Sequence, residues 1–414
     1  MQNYKENAKQ VILQLPFFIM IFFGVIHLGV LVQFNIGGKT MNLGFVNQIV
    51  SLLYLCLMYL WALFVNQKRW IRFAAFAMGM LSVICLGISL SDMGKSFNDA
   101  LCTGSAILTL LYVFENARFL REKIEKYDRL LTWGIWVFVA FSVILFAFFL
   151  VKETAWGEGT YLFGHRYASV CGLMTILIAL KLLNRPQRAA IYWGLLLLSF
   201  AICFWTGARI YVLSGLGTMY AVLYTFNNKD IKRFLIKCVA VTLATFLLFF
   251  TSSTVTKVVN IAEDTTQKLQ TEAYQQADEN YVWVNAMSNG RPNMWKNCWN
   301  SYMELPLKNK LLGSGNKYIY DHNNNLNAHT DYLNILHYHG IVGWAIYMFL
   351  FVGYVAAYWK KNQLPAILLI GFWGIWFVLA ALNGYMSYTA NMMSVPYLAV
   401  IATDMKYRKE KIER

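Results

Sequence analysis

"LTWGIWVFVAFSVILFAFFLV", residues 131–151, runs for 21 residues without a single charge. At about 1.5 Å per helical residue, such a run crosses a hydrocarbon layer roughly 30 Å thick. Comparable apolar runs lie near 11–34, 43–65, 71–90, 99–114, 163–182, 189–206, 208–226, 234–252, 332–358, 363–383 and 388–404. Of these, 99–114 and 388–404 are the shortest or most interrupted by polar residues. Taken together they predict an all-α integral membrane protein of about twelve transmembrane helices. Composition agrees: 58% of the 414 residues are hydrophobic and 14% charged, with mean hydropathy +0.44, where a soluble domain carries about 25% charge. The first run is long and no small-residue cleavage site follows it, so it reads as an anchor and not a cleaved leader.

The net charge of +15 raises the question of an acidic partner such as nucleic acid. Placed on alternating sides of twelve spans, the loops on the N-terminal side hold 24 of 36 Lys and Arg but 9 of 21 Asp and Glu. The whole excess therefore falls on one face, as expected of the cytoplasmic side of a membrane protein. Clusters at 66–72, 118–129, 227–233 and 406–414 then read as topology anchors that contact phospholipid, and no nucleic-acid partner is expected. Both termini are predicted to be cytoplasmic. Six of seven cysteines fall inside apolar runs, leaving Cys298 alone in a polar stretch, where it has no loop partner for a disulfide.

That polar stretch, residues 253–330, is too long for a connector, and charge alternation puts it outside the cytoplasm. It divides the chain into a bundle of nine spans (1–252), an external loop (253–330), and three further spans with a cytoplasmic tail (331–414). Within the loop, Pro292 suits the first turn of a helix capped by Ser288 or Asn289. Trp295, Cys298, Trp299 and Tyr302 follow at i, i+3, i+4 and i+7 as one apolar stripe. The stripe fits a helix lying along the membrane surface, or more simply one that caps the bundle.

The chain contains neither an Asp-x-Asp metal motif nor a Gly-rich phosphate loop, so soluble nucleotide substrates are not expected. His322, His329, His337 and His339 have no accompanying Cys or carboxylate set with zinc spacing. Arginines predicted on the outer side are the sharper signal, since sorting disfavours them there. Arg166 opens the sixth run, Arg209 opens the eighth, and Arg291 precedes the loop helix. On one boundary, their planar guanidinium groups suit bidentate contact with phosphate. His329, at the start of the tenth run, is predicted to sit at the membrane surface, with Leu333, Leu336 and Gly340 following at helical spacing. A neutral imidazole there can accept a proton from a hydroxyl. His337 and His339 fall deeper and read as interhelical hydrogen-bonding residues, while Gly340 and Gly343 allow close helix approach.

On these residues the chain resembles the O-antigen polymerase and ligase superfamily, the Wzy-type polymerases and WaaL-type ligases of bacterial surface polysaccharides. The similar motifs are "SNGRPNMW" (288–295), "GSG" (313–315), "HTDYL" (329–333) and "GIVG" (340–343), with "TGARIYVLSGLG" (206–217) and, more loosely, "GHRYASVCG" (164–172). Thr330 departs from the asparagine usual after the histidine. The resemblance implies a GT-C-like membrane glycosyltransferase in the bacterial cytoplasmic (inner) membrane, with its large loop external or periplasmic. It implies no metal, and undecaprenyl-diphosphate-linked oligosaccharide as both donor and acceptor. Chain-length regulators and flippases are the implied protein partners, and membrane lipid surrounds the chain. Arg291 and Arg209 would stabilise the leaving diphosphate and His329 would act as base. Arg166, His322, Asp331 and Tyr332 would contact substrate. A retaining route would instead need a carboxylate nucleophile, Asp331 or Asp321. Ligation to a different acceptor is the alternative within the same chemistry. A flippase or transporter is the alternative outside it, although no internal repeat is visible and the chain has six prolines.

Overall fold

The computed structural model describes residues 2–28, 33–36, 39–42, 44–88, 93–149, 174–175, 177–183, 185–205, 209–227, 230–250, 253–271, 278–288, 290–314 and 328–362. Among these the chain is helical apart from one hairpin. Helix α1 (Gln2–Leu28) is followed by the strands β1 (Gln33–Ile36) and β2 (Lys39–Asn42), paired antiparallel with Gln33 opposite Asn42. The apolar run expected to span to residue 34 thus ends as helix at Leu28. The Gly37–Gly38 pair between the strands is the residue chemistry that two-residue hairpin loops favour.

Helices α2 (Gly44–Leu60, continued by a π turn over Trp61–Val65), α3 (Arg69–Ile88) and α4 (Met93–Glu115) form the centre of the core. Each tracks an apolar run, because a hydrocarbon-length stretch satisfies its own backbone only as a helix. Two hydrogen bonds tie polar side chains of the core to distant parts of the chain. Tyr54 and Thr109 share a hydrogen bond of 2.9 Å, and Tyr112 donates to Leu13 O at 2.5 Å. That carbonyl lies in the turn before Pro16, whose missing N–H loosens the ladder of α1 locally. Trp61 meets Tyr112 edge-on at 5.2 Å. A sharp bend of 71° separates the charged α5 (Ala117–Lys126) from the apolar α6 (Asp128–Phe149). At this corner Lys181, fully buried, donates to Asp128 O at 2.6 Å and to the Asp128 carboxylate, which also pairs with Arg185.

A 3-10 turn (Pro186–Arg188) leads into α7 (Ala189–Trp205), α8 (Arg209–Asn227) and α9 (Ile231–Phe250). Among the described helices, α9 alone is long and apolar enough to cross a membrane unbent, and only 6% of its apolar window is buried. Leu235, Ile236, Val239, Leu243, Phe246 and Leu247 all stand exposed. A soluble surface does not leave such a face uncovered, so lipid is its solvent. Lys237, near its start, reaches back 2.9 Å to Asn227 Oδ1, keeping its ammonium near the polar boundary. The expected runs at 363–383 and 388–404 and most of 163–182 lie outside the described residues.

The long loop is largely helical: α10 (Ser253–Leu269), α11 (Glu279–Met287), α12 (Arg291–Glu304) and α13 (Leu307–Leu312). It returns through α14 (Asp331–Met348), a π turn (Phe349–Gly353) and α15 (Tyr354–Asn362). The run expected as one span over 332–358 therefore carries a π turn and one break. Gly340, with φ 63 and ψ −169, breaks α14 at its middle.

Candidate functional site

The site is built where the loop helices dock on the first half of α14. Thr330 precedes that helix in an extended conformation (φ −146, ψ 129), and its hydroxyl makes no capping bond. Asn334 supplies the closure instead: its N–H donates to Thr330 O at 3.1 Å and its Oδ1 accepts from Ala328 N–H at 3.3 Å. Asp331 occupies the first turn, where a carboxylate complements the helix dipole. It is only 1% exposed. Tyr332, also expected at the substrate, is half-buried and packs against the main core.

His329 differs from expectation in an informative way. It is not on the helix but two residues before it, with φ 47, the one non-glycine left-handed residue among those described. Such a conformation costs free energy in an L-residue and persists where surrounding structure enforces it. The enforcing contacts flank it: Ala328, fully buried, holds a hydrogen bond on each side of its peptide, one from its N–H to Asn334 Oδ1 and one to its carbonyl from Trp295 Nε1 at 3.0 Å. The imidazole itself is half-buried.

Trp295 belongs to α12, whose first residue is Arg291, with Pro292 in the first turn as predicted. The predicted caps differ. Ser288 closes the end of α11, donating to Val284 O at 2.6 Å, and the residue capping α12 is Gly290 at φ 76. Asn285, from α11, supplies the missing side-chain acceptor to Asn293 N–H at 3.2 Å. The apolar stripe turns inward: Cys298 and Tyr302 are buried against α14 while Trp299 stays exposed. The helix caps the bundle, the simpler of the two sequence readings. His337 acts as the interhelical hydrogen-bond residue it was expected to be, its Nε2–H donating to Cys298 O at 2.7 Å. Tyr302 stacks edge-on against His337 at 5.6 Å and donates to Lys310 O at 2.8 Å.

The break at Gly340 completes the clamp. In an unbroken helix His337 O would accept from residue 341; here it accepts from Ser314 N–H at 2.7 Å and Ser314 Oγ at 3.3 Å. Gly340 thereby meets the end of α13 so closely that a Cβ would sit 2.3 Å from Leu311 O, and a Cβ on Gly313 would sit 2.1 Å from Tyr338 O. Asn334 and Ser314 were not among the candidate site residues, although Ser314 lies inside the "GSG" motif and Asn334 directly follows "HTDYL".

Arg291 is half-buried and lies one helical turn before Trp295, whose indole bonds the carbonyl of Ala328, the residue before His329. Arg209 is the first residue of α8, with its side chain outside the described set. Arg166, His322 and Asp321 lie outside the described residues. Burial pushes the Cys298 thiol up to about 11 and raises the Tyr302 hydroxyl as well. Since only the thiolate reacts and Cys298 is 1% exposed, a membrane-impermeant maleimide is expected to leave Cys298 unlabelled in the folded protein near neutral pH and to modify it after denaturation, as read by peptide mapping. Equal labelling rates in both states would contradict this packing.

Residues 193–348, from the first turn of α7 to the end of α14, match the family model Wzy_C, described as O-antigen ligase. Neither the curated proteins nor the solved structures return a significant match. The family match supports the O-antigen polymerase and ligase superfamily, a bacterial membrane family with a role in surface polysaccharide synthesis. It spans both Arg209 and the whole Arg291–His329 clamp.

Proposed function

From the premise of that superfamily, we propose that the chain is a polymerase joining polyprenyl-diphosphate-linked oligosaccharide repeat units on the outer face of the bacterial cytoplasmic membrane. The chain would cross that membrane about twelve times, with both termini inside and the loop 253–330 external. The observation that carries the reading is the pair of bonds Trp295–Ala328 and His337–Cys298, which hold the helix headed by Arg291 against the turn that carries His329. An enzyme acting on a lipid diphosphate needs a cation for the leaving group and a base for the attacking hydroxyl, brought together at the membrane boundary.

In the proposed step His329 takes the proton from the acceptor sugar hydroxyl, and the oxygen forms a bond to the donor's anomeric carbon. The bond from that carbon to diphosphate breaks, and its electron pair leaves on the diphosphate. Guanidinium groups of Arg291 and Arg209, with Arg166, stabilise the charge that develops there. No metal is needed for this, and the burial of Asp331 supports single displacement with inversion over a covalent glycosyl-enzyme on that carboxylate. His322, Asp331 and Tyr332 remain the substrate-binding candidates.

The test is reconstitution of the purified full-length protein with one defined lipid-linked repeat. A ladder of products is expected. A single transfer, or none until a second acceptor class is added, would favour ligation, the activity named in the family model's description. Within the same assay Arg291→Lys is expected to recover little of the activity lost in Arg291→Ala, on the order of a tenth or less, because a point cation cannot make the bidentate contact.

A further inference from the structure

A second site lies at the N-terminal end of α6, where that helix meets residues 185–188. Here a cavity of about 390 Å³ is lined by Asp128, Arg129, Arg185, Arg188 and the two indoles Trp133 and Trp136. Asp128 is already engaged by the buried Lys181 and by Arg185, so its charge is compensated from within. Arg129 and Arg188 stand exposed and make no ion pair among the described residues. Four cations thus surround one carboxylate, and the surplus faces the cavity.

We infer that this cavity binds the phosphate of an anionic phospholipid, with Arg129 and Arg188 on the phosphate and the indoles of Trp133 and Trp136 against the glycerol and upper acyl chains. The apolar continuation of α6 selects a lipid over a free anion. Leu130, Trp133, Val137 and Ile144 are all exposed and recur at helical spacing, and Trp136 and Val143 extend the same side. A soluble phosphate or nucleotide would use the cations but leave this strip uncovered, whereas acyl chains lying along α6 cover it. Indoles at headgroup depth beside guanidinium groups are the side chains that suit such a boundary. In the proposed topology the site faces the cytoplasmic leaflet, remote from the Arg291–His329 clamp, and it depends on no assumption about the reaction.

The test uses the full-length protein in detergent, with short-chain phosphatidylglycerol, short-chain phosphatidylcholine and inorganic phosphate as separate probes, read by native mass spectrometry and by thermal unfolding. Wild type is expected to retain phosphatidylglycerol and to be stabilised by it, with phosphatidylcholine giving little of either effect. The double variant Arg129→Gln/Arg188→Gln, which spares the Asp128 ion pairs, is expected to bind phosphatidylglycerol roughly tenfold more weakly. Unchanged affinity in a folded double variant would overturn the inference. So would displacement of the lipid by inorganic phosphate at matched concentration, which would mark a free-anion site. Should the double variant unfold, Arg188→Gln alone carries the same comparison, with a smaller loss expected.

Discussion

His329→Ala is expected to lower repeat-unit transfer by about two orders of magnitude or more, the usual contribution of a positioned general base, while the protein still inserts and unpolymerised lipid-linked repeats accumulate. Because the residue sits at φ 47, alanine also alters the backbone preference of the turn. His329→Asn separates the two effects: asparagine tolerates the left-handed region better than most residues but cannot take the proton. Loss in both variants with unchanged thermal unfolding assigns the proton transfer to the imidazole. Chain growth of normal length and rate in His329→Asn would end the assignment.

The helices of this chain were legible because each is decided locally. The apolar runs at 189–206, 208–226 and 234–252 became helices Ala189–Trp205, Arg209–Asn227 and Ile231–Phe250, with ends within a few residues of the runs. Pro292 likewise announced the start of the loop helix. What the runs could not carry is where a helix yields to a partner distant in sequence. The break at Gly340 exists because Ser314, 23 residues upstream, takes the carbonyl of His337. His329 left the helical path because Trp295 holds Ala328 from 33 residues away. The capping of Arg291–Glu304 by Asn285 is of the same kind, a side chain from the preceding helix doing what a local Ser or Asn was expected to do. The titratable cluster at the mouth of the tenth run was visible as composition. Its division of labour, with His337 as strut and Asp331 buried in the first turn, required the docked loop.

That dependence makes Gly340→Ala the substitution with the largest expected structural effect. At φ 63 and ψ −169 the backbone lies in a region essentially reserved for glycine, which costs about 1–3 kcal/mol for another residue. The added Cβ would also fall 2.3 Å from both the carbonyl carbon and the oxygen of Leu311, and backbone cannot rotate aside as a flexible side chain would. Relief requires α13 to move off α14, which takes Ser314 from the His337 carbonyl and loosens the docking of the Arg291–Glu304 helix on the turn that carries His329. A loss of at least about 3 kcal/mol is expected, seen as a lowered thermal midpoint in detergent, faster proteolysis within 279–314 and loss of transfer activity. Gly313→Ala attacks the same contact from the other side, its Cβ 2.1 Å from Tyr338 O at φ 96, so the two losses should not add: once α13 has lifted, the second clash is already relieved. Gly134→Ala on α6 is the control, since nothing lies within 4 Å of its Cβ position and a helical interior gains up to about 1 kcal/mol from alanine. If Gly340→Ala melted with the control and kept its loop protected, the clamp would not be what orders this site.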